Sequence, residues 1–97
     1  MRFEFHPEAL EEYHEAAAYY AAQQPGLEQR FLASVEEVIA LVVDAPTRWR
    51  ILEDDVRRCL TCVFPYAVLY TVETDYILIL AVMHCSRRPG YWRHRHP

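Results

Sequence analysis

Four arginines stand in two adjacent pairs, Arg57-Arg58 and Arg87-Arg88, and His84, Tyr91 and Trp92 flank the second pair. These residue types fit two kinds of chemistry. Metal-free cleavage of a ribose phosphodiester needs a group to take the 2′-hydroxyl proton, a cation to stabilise the charged phosphorane, and an acid for the leaving oxygen. Arg57 or Arg58, His84, Arg87 and Tyr91 could divide those roles if they converge in space. Binding an acidic protein segment needs less, because a guanidinium fork pairs bidentately with a carboxylate. Arg57, Arg58, Arg87, Arg88 and Trp92 are the candidates for such a surface.

Each of these residues also has a structural reading. A histidine ending a buried strand can hydrogen-bond to neighbouring backbone, and tyrosines at strand positions pack sheets. The tail Tyr91 to His96 could stack on bases, but the preferred reading is a docked aromatic anchor, Tyr91 and Trp92, with a frayed basic end. Cys59 and Cys62 have zinc-like spacing, with His84 and Cys85 as conceivable further ligands. If residues 56–63 form one strand, an offset of three sends the two thiols to opposite faces. The expectation is free, small, buried thiols and no metal or other cofactor.

The elements that must position these groups follow from periodicity. Residues 2–5 read as a short strand. Pro7 suits a first helical position, the glutamates after it suit a helix N-terminus, and Leu10, Tyr13, Ala17 and Tyr20 recur at helical steps, giving a helix over 7–23. Gln24, Pro25 and Gly26 break it. Leu27, Phe31, Val35, Val38 and Val42 repeat the period, widened by Leu32 and Ile39, so a second helix runs to about residue 43 and forms an antiparallel hairpin with the first. After a loop over 44–55 with a short strand near residues 50–52, residues 56–63, 66–72 and 76–83 read as strands joined by short connections, hence antiparallel. The predicted fold is α+β: an N-terminal strand, a helix hairpin, then a β-meander, with both helices on one sheet face and the other face left as an open concave groove. On the third strand, Val56, Leu60 and Cys62 share a face with Arg58; that apolar face should meet the helices, leaving Arg57 toward the groove.

The chain has 97 residues, 53% hydrophobic, with only two glycines and no low-complexity tract, which implies one globular domain over 1–97. Nine carboxylates oppose two arginines in residues 1–44, and eight arginines oppose five carboxylates in 45–97, together the net −4 of the chain. There is no lysine. The overall charge opposes long-range attraction to nucleic acid. Three cysteines, an N-terminus without signal-peptide character and no apolar run long enough to span a bilayer point to a cytoplasmic protein.

Five segments together resemble the RelE/ParE family of toxins from bacterial type II toxin–antitoxin systems, also met as plasmid stabilisation proteins. They are F-H-P-E-A-x-x-E at Phe5 to Glu12, P-G-L-E-x-R-F-L at Pro25 to Leu32, V-R-R at Val56 to Arg58, F-P-Y-A-V-L-Y at Phe64 to Tyr70, and I-L-A-V-M-H-x-x-R-R-P-G-Y-W at Ile79 to Trp92. The resemblance implies the strand, helix-hairpin and meander fold, a cognate antitoxin that wraps the toxin, and growth arrest when the toxin is free. RelE-like members resemble ribosome-dependent mRNA endonucleases, whereas ParE-like members are non-enzymatic inhibitors of DNA gyrase. RelE-like nucleases typically place a phosphate-binding arginine three residues before the tyrosine of the fourth strand; here Ala67 precedes Tyr70 at that spacing. That departure and the lysine-free acidic composition favour gyrase over the ribosome and its mRNA as the target. A third possibility is a non-toxic orphan that retains only antitoxin binding.

Overall fold

The computed structural model describes residues 1–97. After β1 (Arg2–Phe5), His6 caps the first helix: its Nδ1 accepts from the Glu8 N–H at 3.1 Å, and Pro7 spends its missing N–H at the first helical position. α1 runs Pro7–Gln23 and stops where Gln24 turns extended; Gly26, at φ +85°, makes the left-handed turn into α2 (Leu27–Asp44). Four strands follow, β2 (Arg50–Glu53), β3 (Val56–Leu60), β4 (Tyr66–Val72) and β5 (Tyr76–His84), then a 3-10 turn at Arg93–Arg95.

The sheet order is β1-β5-β4-β3-β2. The meander β2 to β5 is antiparallel, as its short connections require. β1 is the exception and pairs parallel with β5, Arg2 opposite Tyr76 and Phe5 opposite Ile79. The helix hairpin and three strands separate this pair in the chain, so no tight turn dictates its direction. The α+β architecture expected from the sequence is the one observed.

A bulge sorts the side chains of β5. Leu69 lies opposite Ala81 and Tyr70 opposite Ile79, which leaves Leu80 as an extra residue. Ile77, Ile79 and Val82 therefore face the helices, while Leu80 and Ala81 both face the other way. On the helix side, Phe31, Val35, Val38, Ile39 and Val42 of α2 and Ala9, Ala16 and Ala17 of α1 pack on Cys59, Val68 and Tyr70. Leu10 does not belong to this core, being 39% exposed. The inward stripe of α1 is turned slightly from the one predicted: alanines at 9, 16 and 17 let the helix approach closely, and Tyr13 and Tyr20 fill the space between.

The second sheet face differs from expectation. It is not an open groove. Residues past β5 fold back across it, and Tyr91 and Trp92 pack on Val56, Ala67, Leu69, Leu80 and Ala81. This second apolar layer also reverses the predicted facing of β3. Val56 finds its burial beneath the tail, so Arg58 shares that side, opposite Leu69, while Arg57 and Cys59 lie opposite Tyr70 and Val68 on the helix side. β3 ends at Leu60 and not at residue 63. The alternation that would part Cys59 from Cys62 stops there, and both thiols line one cleft beside α2; Cys59 is buried, whereas Cys62 and Cys85 are exposed, contrary to the expectation of three buried thiols.

Candidate functional site

The arginine-rich end is built on the exit from β5. His84 organises the turn: its Nδ1 accepts from the Ser86 N–H at 3.0 Å and its carbonyl from the Arg87 N–H at 3.0 Å. Cys85 donates its N–H to Pro65 O at 2.8 Å, fixing the turn to the β3–β4 loop. Gly90 then reverses the chain at φ +76°, where an added Cβ would lie 2.4 Å from the Arg93 guanidinium. The reversal lays residues 91–97 across the sheet as a strap.

Glu12 of α1 holds this strap. β1 ends at Phe5, so the next outward-facing groups on β5, the Val82 N–H and the Leu80 carbonyl, have no strand to pair with. The Glu12 carboxylate accepts from Val82 N at 3.1 Å, and the Arg95 guanidinium donates to Leu80 O at 3.0 Å. The two side chains pair with each other at 2.7 Å, and only 5% of the Arg95 side chain and 14% of the Glu12 side chain is exposed. An ion pair thus takes the place of a missing rung, which pairs the two charges and gives both peptide groups a partner, while Arg95 Nε is left buried without a hydrogen bond. The Tyr91 hydroxyl donates to the same carboxylate, and the Arg87 guanidinium lies 3.9 Å from the centre of the Tyr91 ring. Burial, and then the hydrogen bond to Glu12, push the Tyr91 hydroxyl well above its ordinary range. Three more contacts tie the strap down: Arg93 bidentate to Glu53 at 2.7 Å, His94 to Glu8 at 3.0 Å, and His96 to Asp55. The basic end is clasped and not frayed, because each cation meets a carboxylate that the sequence places elsewhere.

The predicted nuclease set does not converge. Arg57, expected toward the groove, is on the helix side, where it donates to Thr47 O at 3.1 Å and Trp49 O at 2.7 Å and so anchors the loop between α2 and β2. Its neighbour Tyr70 anchors the same loop through a 2.6 Å bond to Pro46 O, and burial pushes that hydroxyl up to about 12. His84 lies opposite Tyr66, edge-on at 5.1 Å, whereas Arg57 lies opposite Tyr70. Four residues along a strand separate them by roughly 13 Å. Arg87 and Tyr91 do meet, but on Glu12. Trp92 is 3% exposed and is spent on packing, which removes it from any partner surface while the strap is docked.

Arg58, Arg87 and Arg93 line a cleft of about 250 Å³ with Met83, Cys85 and Trp92. Arg88 is exposed nearby. Apart from Glu53, already taken by Arg93, the cleft carries no carboxylate. It is a cationic recess that suits an anion supplied from outside. Ala67 is wholly buried, packed in the cluster that Tyr91 and Trp92 cover. Sequence reasoning missed Glu12 and Arg95 as a pair. Glu12 was visible only as the last letter of the F-H-P-E-A-x-x-E segment, and nothing local to it points 83 residues downstream.

No curated protein matches the chain by sequence. Among solved structures, the chromosomal ParDE toxin–antitoxin system from P. aeruginosa is similar in fold: TM-score 0.64 at 17% identity, covering 87% of this chain and 95% of that one. The family described as the ParE toxin of the type II toxin–antitoxin system parDE matches residues 3–89. That match takes in β1, the helix hairpin, the meander and the arginine turn, and the chain accordingly belongs to the family of ParE toxins of type II toxin–antitoxin systems.

Proposed function

We propose that the free chain arrests growth by binding a protein, DNA gyrase, that it cuts no RNA, and that a cognate antitoxin neutralises it. The observation that carries this reading is the roofed sheet face. The position where nuclease relatives are expected to hold a phosphate-binding arginine is Ala67, buried under Tyr91 and Trp92. Of the candidate nuclease residues, Tyr91 is committed to Glu12, and His84 and Arg57 face the other side. A missing preorganised cation commonly costs about 10² to 10³ in rate. Misplaced partners lower it further.

What remains is a set of guanidinium forks that no carboxylate of the chain holds by a hydrogen bond, Arg87 standing 3.9 Å from Glu12. Arg58 and Arg87 border a recess whose one carboxylate, Glu53, is taken by Arg93, and Arg88 is exposed next to Arg87 in the chain. An acidic antitoxin segment would pair bidentately with them, and the affinity of that complex should fall with added salt.

Primer extension on mRNA from cells expressing the chain alone tests the exclusion of RNA cleavage. Growth arrest without discrete cuts, relieved by co-expressing a cognate antitoxin, supports the proposal. Ribosome-dependent cuts that disappear in Arg87→Ala or His84→Ala would replace it with the nuclease reading. Expression without any growth defect would leave only an antitoxin-binding module.

A further inference from the structure

The two edges of the sheet are not alike. At β2 the ladder to β3 is broken by an irregularity between Ile51 and Glu53, a feature that twists an edge away from further pairing. At the other end, β1 pairs with β5 in unbroken register from Arg2 to Phe5 and has no strand on its outer side. It contains neither proline nor lysine. Bulges, prolines and lysines are the devices that commonly keep a sheet edge from recruiting another strand, and β1 has none of them.

The phase of the ladder decides which main-chain groups are left over. His6 donates its N–H to Ile79 O at 2.8 Å. Alternate residues of a strand turn their N–H and C=O to the same neighbour, so Arg2 and Glu4 also point theirs at β5, and Phe3 and Phe5 turn theirs outward. The side chains divide in the same way. Phe3 and Phe5 stand on the helix side, edge-on at 5.9 Å, and Arg2 and Glu4 form an ion pair on the strap side. Met1 is 57% exposed and Phe3 43%. With Ile39, Ala40 and Val43 of α2 they border an apolar recess of about 470 Å³.

We propose that β1 pairs antiparallel with β1 of a second copy of this chain, centred on Phe3. In that register Phe3 meets its own equivalent as a hydrogen-bonded pair, each donating its N–H to the other's carbonyl, and Phe5 falls opposite Met1. Arg2 falls opposite the second copy's Glu4 at the closer, non-hydrogen-bonded positions, so the ion pair within each strand extends into a ring of alternating charges across both. Met1 and Phe3 of the two copies meet on the helix side, beside the recesses. The next registers in phase would set Glu4 opposite Glu4 or Arg2 opposite Arg2, so charge selects the central one. The two-fold axis is normal to the sheet, and both strap faces with their arginine clefts therefore lie on one side of the dimer, a geometry that lets one target engage both. One short strand from each copy makes a small contact, hence a weak, concentration-dependent dimer.

Arg2 and Glu4 are exposed, so their charges can be reversed with the fold checked by circular dichroism. Sedimentation velocity of the purified chain over a concentration series reads the association. Arg2→Glu sets like charges against the second copy's Glu4, and Glu4→Arg sets them against its Arg2. Each variant should self-associate at least about 10-fold more weakly than the wild type. An equimolar mixture of the two should recover wild-type association, because every cross-strand pair is again of opposite sign, and so should both changes made in one chain. In the wild type, amide exchange at Phe3 and Phe5 should slow as the concentration rises, while Glu4 and His6 stay protected throughout. The proposal is overturned by a chain that stays monomeric up to about 1 mM, where even a weak dimer forms. It is overturned equally by self-association that both single changes leave intact, by a mixture that associates no better than its components, or by Phe3 and Phe5 amides protected only when an antitoxin is added.

Discussion

The two faces of the sheet are closed by different physics. The helix face is sealed by large apolar side chains that meet in edge-on and tilted pairs, Phe31 with Tyr20, Phe64 and Tyr66 at centroid distances of 5.0–5.4 Å. The strap face has a floor that includes two alanines, a roof of two aromatic rings, and a border of ion pairs around Glu12 and Arg95. Apolar packing is nearly indifferent to pH and salt, whereas exposed ion pairs respond to both. The first face therefore sets whether the chain folds, and the second sets how firmly a functional surface is held.

The comparison breaks most visibly at Phe31, which is fully buried at the centre of the aromatic cluster. Phe31→Ala should cost about 3 to 5 kcal/mol, read as a lower urea midpoint with an unchanged slope. A loss below about 1 kcal/mol would mean that the helix hairpin does not close the core. At the other face, Glu12→Ala should cost about 3 kcal/mol, because it leaves Arg95 buried without its partner and Val82 N–H without an acceptor. Replacing both residues, Glu12→Ala with Arg95→Met, should then cost less than the sum of the single changes. Strict additivity would show that the pair is not coupled.

Gly90 tests the hinge of the strap. Gly90→Ala forces a side chain into the left-handed region against Arg93 and should cost about 1 kcal/mol. An unchanged melting temperature would mean that the reversal does not depend on that conformation.

The smallest effect is a pH dependence confined to the strap. Asp55 holds His96 above its ordinary 6.5, so this contribution is complete below that value and is lost as pH rises through the raised one. His96 in turn holds Asp55 below its ordinary 3.8, and His94 holds Glu8 below its ordinary 4.5; those contributions are complete above these values and fade as pH falls. The clasp should be tightest between 4.5 and 6.5. Hydrogen exchange at Tyr91 and Trp92, corrected for intrinsic rates, should show more protection near the upper end of that window than in mildly alkaline buffer. Equal protection at both would remove the His96 clasp from the account.

The same division explains what was legible in the sequence. Helical spacing in Leu27 to Val42 and apolar runs in β4 and β5 express local periodicity, and both helices and the meander are recognisable from them. The strap was not legible as a strap, because its partners are remote: Arg95 meets Glu12, His94 meets Glu8 and His96 meets Asp55 only after folding. The facing of β3 is not legible in the sequence for a related reason. In the sequence the helices are the only visible apolar partner for the side of β3 that carries Val56 and Arg58, and the roof of Tyr91 and Trp92 supplies another. The β5 bulge at Leu80, which puts two successive residues on the strap face, leaves no mark in the period of the strand.

The reading of the chain as a protein-directed toxin is tested most directly by the supercoiling activity of purified gyrase in the presence of the purified chain. The account predicts dose-dependent inhibition that the antitoxin reverses, with Arg58→Ala and Arg87→Ala variants still folded. Supercoiling that proceeds at its normal rate, in cells or extracts where the same chain cuts ribosome-bound mRNA, would contradict it.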